Sequence, residues 1–247
     1  MIIIPTIELQ NGRCVSLNMG RLDEPVIWHV DPVETARGFA AAGAEWMQVT
    51  DFDAIAGDGD NAELIEEIIR SAGISVQLAG GFRTQERIEE WLNKGAGRIV
   101  IGTLAARDPA LVKRLSRLYP DQIVLAVDVW EGHVMTDGWK SSSAFEPAGF
   151  IAEFADCALA GVLVTDIDSD VAERDASLSL VTALAEGSKT PIIASGLVRT
   201  VDDVARLSYV GNVSGAIVSR ALFRKSLELD EALAAAAPQH EETAGFI

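Results

Sequence analysis

The 247-residue chain has two cysteines and three histidines. Cys14 and Cys157 are far apart and lack the spacing of metal ligands, so they read as free, buried thiols in a reducing compartment. His29, His133 and His240 form no i,i+4 pair, which argues against a histidine-based metal site, and no metal is expected. No apolar run approaches the roughly 20 residues that a bilayer-spanning helix needs, so no membrane partner is expected. No charged-then-apolar leader opens the chain; Met1 leads directly into a strand-like Ile-Ile-Ile-Pro, and a cytoplasmic location is expected. Basic residues are few: 20 Lys and Arg face 37 Asp and Glu, a net charge of −17. A surface of that sign argues against nucleic acid as a partner. A small phosphorylated ligand is not excluded, because it needs only a local positive pocket.

What is present is an alternation. A hydrophobic fraction of 49% over this length supports either one large core or two small ones. Short apolar strands are expected at 2–8, 46–50, 76–78, 98–101, 122–127, 162–164, 191–194 and 215–218. Helices are expected between them, from Pro32 to about Ala40, then at 62–71, from Thr84 to Lys94, and at 109–118, 147–160, 175–186 and 200–209. A last helix follows at 227–237. Segments 19–31 and 54–60 read as loops. Apolar strands joined by helical crossovers mean a parallel sheet covered on both faces. Eight such units in about 250 residues is the size of a closed (β/α)8 barrel. A doubly wound open sheet is the alternative, but none of the eight strands is short or polar enough to stand out as an edge. The expected organisation is a single-domain barrel over 1–237 and a polar, mobile tail over 238–247.

The chain also repeats itself. Val49-Thr50-Asp51-Phe52-Asp53 matches Val164-Thr165-Asp166-Ile167-Asp168. Ala79-Gly80-Gly81-Phe82-Arg83-Thr84 matches Ser195-Gly196-Leu197-Val198-Arg199-Thr200. Val100-Ile101-Gly102-Thr103 matches Ile217-Val218-Ser219-Arg220. The spacings are 115 (51 to 166), 116 (79 to 195) and 117 (102 to 219). A repeat near half the chain length points to two four-strand half-barrels related by a pseudo-twofold axis.

In a barrel of this kind the chemistry sits at the carboxyl ends of the strands. Those ends carry Glu8, Asp51, Asp128, Thr165 and Asp166, and four of them carry turns with glycines or hydroxyls. Glycine lets backbone N–H groups approach a phosphate. Two such turn pairs facing each other suit a ligand with a phosphate at each end. Two carboxyls between them, Glu8 and Asp128, suit acid/base work on its middle. The plainer readings stay open: glycine for turn geometry, and aspartate as helix cap or anchor, which is how Asp51 and Asp166 read. Trp139 follows a glycine after the fifth strand. It is either a stacking platform for a heteroaromatic ring or a hydrophobic plug. Trp28, Trp46 and Trp91 read as packing.

From Ile2 to about Ala237 the motifs resemble a known family, the histidine-biosynthesis isomerases acting on phosphoribosylformimino-aminoimidazole-carboxamide ribotide. The likeness is carried by IIIPTIEL, GRCVSLNMG, VTDFDAIAG, VQLAGGFRT, RIVIGTLA, LAVDV, DGWKSSS, VLVTDI, IIASGLVRTVDDV and AIVSRALF, in the family's order. The cyclase subunit of imidazole glycerol phosphate synthase shares the barrel, but VSLNMG and DGWKSS are more similar to the isomerase. The resemblance implies an Amadori rearrangement of a bisphosphorylated small molecule, without metal or redox cofactor, in a protein expected to be a monomer. It implies that Glu8 and Asp128 are the acid/base pair and that Thr165 assists. It implies phosphate sites at Gly80, Gly81, Gly102 and Thr103 on one side and at Ser195, Gly196, Ser219 and Arg220 on the other. Trp139 matches the tryptophan that stacks on the substrate. Glu8 stands where the family has Asp, Ser16 where it has Arg, and Ala79, Leu197 and Ser219 where it has Gly. Ser169-Asp170-Val171-Ala172 replaces Arg-Asp-Gly-Thr. A diverged paralogue with another phosphorylated substrate, or an inactive barrel that binds a phosphorylated ligand, are the alternatives.

Overall fold

The computed structural model describes residues 1–18, 20–167 and 174–237. The 238–247 tail and the 169–172 replacement lie outside the described residues.

Eight strands form the barrel: β1 (Ile2–Gln10), β2 (Trp46–Asp51), β3 (Ser75–Ala79), β4 (Arg98–Ile101), β5 (Ile123–Trp130), β6 (Gly161–Asp166), β7 (Ile192–Ser195) and β8 (Val213–Val218). Each is parallel to its neighbours in the ring. The ring closes where β8 pairs with β1, from Ile2 opposite Gly215 to Pro5 opposite Val218. Closure leaves the ring without an open edge, so the doubly wound alternative is excluded. The alternation of side chains along each strand builds two layers. Ile3, Ile7 and Leu9 of β1 point outward and pack with helix residues such as Ile88 and Trp91. Ile4, Ala79, Val100, Val124, Ala126, Leu163, Ile193 and Ile217 fill the interior. At the amino-terminal end Trp46 packs against this inner cluster, with the Arg98 guanidinium carbon 3.9 Å from the centre of its ring.

The expected strands are all found. Several differences lie between them. The segment expected as loop 54–60 begins with a five-residue helix, Phe52–Ala56, and a second short helix, Thr103–Arg107, follows β4. The 19–31 loop contains a two-residue strand, Val26–Ile27, that pairs with Arg13–Ser16. β5 runs past Asp128 to Trp130, while the hairpin that Gly132 suggests in the sequence does form, returning through His133–Thr136. The helix expected at 147–160 ends at Glu153. Beyond it the chain must return to β6, and Ala160 N donates to Ile123 O at 2.8 Å. Cys14 and Cys157 are both free. Cys14 is fully buried, but Cys157 is only half-buried. Burial, with Asp31 adding to it, pushes the Cys14 thiol up to about 12, which keeps it unreactive.

The repeated motifs adopt matching backbones. Gly102 has φ −112° and ψ −80°, and Ser219 has φ −119° and ψ −93°. Thr84 and Thr200 take the same extended conformation at the start of their helices. The halves part at Gly81, which has φ +75°, whereas its counterpart Leu197 is outside the left-handed region and is buried in the outer core.

Asp51 is one of the few buried charges. Its Oδ1 accepts from Asp53 N, Ala54 N and Asn61 Nδ2, and its Oδ2 accepts from Asn61 N at 2.9 Å. It therefore points away from the barrel mouth, capping one short helix and holding the loop behind it. Asp51→Ala leaves the Asn61 backbone N–H without its acceptor, while the side-chain amide keeps Asp53, and is expected to lower stability by about 1–3 kcal/mol in denaturant unfolding.

Candidate active site

A cavity of about 510 Å³ opens at the carboxyl ends of the strands. That volume suits a small-molecule ligand, which typically occupies roughly 300–1,000 Å³. All twelve residues singled out in the sequence line it. Glu8 ends the inward row of β1, opposite Thr50 of β2. Asp128 holds the corresponding place on β5, four strands away in either direction round the ring. The two carboxyls thus face each other across the mouth. Thr165 of β6 lies between Asp128 and Ser195 in register. Gly80, Gly81, Gly102 and Thr103 follow β3 and β4 on one side; Ser195, Gly196, Ser219 and Arg220 stand at the ends of β7 and β8 on the other.

The two carboxyls have different surroundings. Enclosure by the cavity walls pushes the Asp128 carboxyl above its usual range, while hydrogen bonds from the Trp139 and Thr165 side chains pull against that shift. Glu8 Oε2 instead accepts from the Ser219 hydroxyl at 3.1 Å.

Trp139 is held over the mouth by two neighbouring loops. A Cβ on Gly20 would lie 2.4 Å from the indole, so the ring rests on bare backbone there. A Cβ on Gly138 would meet Ile55 at 2.6 Å. Asp137 N donates to Thr103 Oγ1 at 2.8 Å, tying this loop to the turn after β4. Arg220 Nη2 donates to Leu17 O at 2.8 Å, so its guanidinium holds the loop after β1. Ser16, where the resemblance leads one to expect arginine, is buried and accepts from Trp28 Nε1 at 3.0 Å, outside the cavity. Asp166 accepts from Ser177 Oγ at 2.6 Å, an anchoring contact like that of Asp51.

Sequence reasoning passed over part of the lining. Thr6, Gln48 and Thr50 form the floor, with Gln77 Nε2 donating to Gln48 Oε1 and Gln48 Nε2 to Thr50 Oγ1. Polar residues two apart on an apolar parallel strand were the available signal. Arg83 and Arg199, equivalent in the repeat, both reach the rim; Arg83 donates to the carbonyls of Ala54 and Ile55. Among the described residues no group of three His, Cys, Asp or Glu is placed to hold a metal. No helix among them is long and apolar enough to cross a membrane.

The histidine biosynthesis protein family matches residues 2–228. The chain belongs to that family. Among its relatives is the 1-(5-phosphoribosyl)-5-((5-phosphoribosylamino)methylideneamino) imidazole-4-carboxamide isomerase 2 of Ruegeria pomeroyi, 65% identical over 246 residues and covering 100% of both chains. The isomerase 1 of the same name from Ruegeria sp. is 57% identical over 247 residues, again with 100% of both chains. The isomerase of Caulobacter vibrioides is 39% identical over 240 residues, 96% of this chain and 100% of that one. This histidine-biosynthesis family member therefore matches both Ruegeria relatives over the full length of each chain.

Because the folded-state pKa of Asp128 lies above its unfolded value, ionising it opposes folding. The stability it allows is complete below the unfolded value and is lost as pH rises through the folded one. Asp128→Asn is expected to unfold at a higher temperature than the native chain near neutral pH. The gain should vanish below about pH 4, where both are uncharged. Thermal unfolding across pH tests this.

Proposed function

We propose that this chain is the isomerase of histidine biosynthesis, converting a bisphosphorylated aminoaldose to the aminoketose by an Amadori rearrangement. The observation that carries the reading is the pair of opposed carboxyls, Glu8 and Asp128, set between two anion-suited turn pairs in one cavity. The names of relatives that align along the whole chain support the same reaction.

In this reading the phosphates anchor the two ends. One lies against the backbone of Gly80, Gly81, Gly102 and Thr103. The other lies against Ser195, Gly196, Ser219 and Arg220. The hydroxyl of Thr103 accepts from Asp137 N and can still donate its proton to phosphate, beside the backbone N–H. Asp128, whose carboxyl is pushed above its usual range by enclosure, donates to the ring oxygen of the aminated ribose, and the C1–O bond breaks as the amine nitrogen forms a C1=N iminium. Glu8 then takes the proton from C2, giving an enol-amine. Protonation at C1 and loss of the proton from the C2 hydroxyl give the ketone. Two protons enter, at the ring oxygen and at C1, and two leave, from C2 and its hydroxyl, so the product is an isomer of the substrate. Thr165 steadies the Asp128 carboxyl. Trp139, whose indole also reaches Asp128, offers its face to the heteroaromatic ring. The chain is taken to act as a cytoplasmic monomer. Its strongly acidic composition fits a partnership with small molecules and with neither nucleic acid nor membrane.

Purified protein is expected to convert the aminoaldose to the aminoketose, and the gene to rescue a histidine auxotroph lacking the isomerase. Glu8→Gln and Asp128→Asn should each lower kcat by about 10²–10⁴-fold, the usual worth of a positioned acid or base. Absence of turnover together with absence of rescue overturns the assignment.

A further inference from the structure

Glu8 and Ser219 are 211 residues apart in the chain and in contact in the fold. We propose that Ser219 is the positioning residue for Glu8: its hydroxyl fixes the glutamate carboxylate in the ionised form and in the place from which it takes a proton. The proposal rests on the reading of Glu8 as the base.

The geometry is set by barrel closure. Pro5 lies opposite Val218, so Ser219 arrives level with the inward-facing row of β1 that contains Thr6 and Glu8. Ser219 Oγ is 3.1 Å from Glu8 Oε2. An aspartate at position 8 would be shorter by one carbon–carbon bond, ~1.5 Å, and would not make this contact from the same backbone. The longer side chain and the hydroxyl therefore form one unit.

The pseudo-twofold twin supplies the comparison. Gly102 has the same backbone as Ser219 but no side chain, and a Cβ there would meet Ala126 Cβ at 3.4 Å, an ordinary contact. The backbone at this turn thus does not require glycine, and the fold accepts a hydroxyl at 219. Asp128, the twin of Glu8, has no hydroxyl at position 102 to lean on. Its donors come from Trp139 and Thr165. A hydroxyl donated to a carboxylate favours the ionised form, as a base requires. Ser219 also keeps its backbone N–H, which the bond to Glu8 does not use. Losing the hydroxyl should therefore affect the chemical step and spare phosphate binding.

Other charges share the space around Glu8. Asp128, Asp166, Arg199, Arg220 and Arg224 all line the cavity, while the Asp51 carboxylate on the adjacent β2 is turned outward to Asn61. Substituting Ser219 alters none of these charges, so a change in the titration of Glu8 reports the hydrogen bond.

Ser219→Ala is expected to lower kcat on the order of tenfold, the worth of one hydrogen bond to a charged group, with KM within about twofold of the native value. The acid limb of kcat/KM should move to higher pH, and Ser219→Thr should restore both. In a Glu8→Asp background the same substitution should have little further effect. Carbon-13 NMR of the Glu8 carboxyl, which needs no turnover, should show its pKa raised in Ser219→Ala. An unchanged Glu8 titration, or an equal loss of kcat in the native and Glu8→Asp backgrounds, overturns the proposal. Should the native protein turn over no substrate, the isomerase reading falls, and the NMR titration still decides the Glu8–Ser219 pairing.

Discussion

The pairing of β8 with β1 is the constraint on which the rest depends. Until that seam forms, Glu8 and Asp128 are merely two acids 120 residues apart (8 to 128). Once it forms, the ring has eight strands and β1 stands opposite β5. The carboxyls face one another, and the four phosphate-suited turns sort into two opposed pairs. The same seam brings the turn after β8 beside the end of β1, where Ser219 reaches Glu8 and Arg220 reaches the carbonyl of Leu17. Closure thus makes the core, the site and the first loop's anchorage in one step.

Within that frame the two halves have kept the backbone and changed the side chains. Gly102 and Ser219 show that one conformation can carry either residue when its φ is negative. Gly81 and Leu197 show the opposite case. A φ of +75° with a Cβ only 2.6 Å from Ala54 leaves no choice but glycine, so a leucine there means a different turn, with its side chain committed to the core. Arg83 and Arg199 persist on both rims. The positive field that an anionic ligand needs is supplied locally, inside a chain whose net charge is −17.

This division explains what could be read before folding. The strands were legible because they are buried on both faces and read as continuous apolar runs. The repeat was legible because backbone geometry constrains residue type at turns. The short helices Phe52–Ala56 and Thr103–Arg107 were not, since one turn of helix has no periodicity to detect. The polar floor of Thr6, Gln48 and Thr50 was hidden for a related reason: a polar residue in an apolar run looks like noise until the barrel shows that its face points inward. Least legible were the contacts between motifs. That Arg220 holds a loop, that the indole of Trp139 reaches Asp128, and that Ser16 turns away to Trp28 are matters of side-chain direction, which residue identity alone does not determine.

The departures from the family pattern therefore do not carry equal weight. Taken singly, glutamate for aspartate at position 8 displaces the proposed base by a bond length, enough to cost on the order of a hundredfold in rate, and serine for glycine at 219 adds a side chain to the turn proposed to hold phosphate. Taken together in space, the longer acid has a hydroxyl to rest on, and the hydroxyl has a carboxylate to receive it. Either change alone leaves a partner missing. With glycine at position 219 the glutamate would lose the serine hydroxyl, and with aspartate at position 8 the serine would hold a hydroxyl that the shorter carboxylate could not reach. Two substitutions that each weaken a site when counted along the chain become, at 3.1 Å, a single rebuilt one.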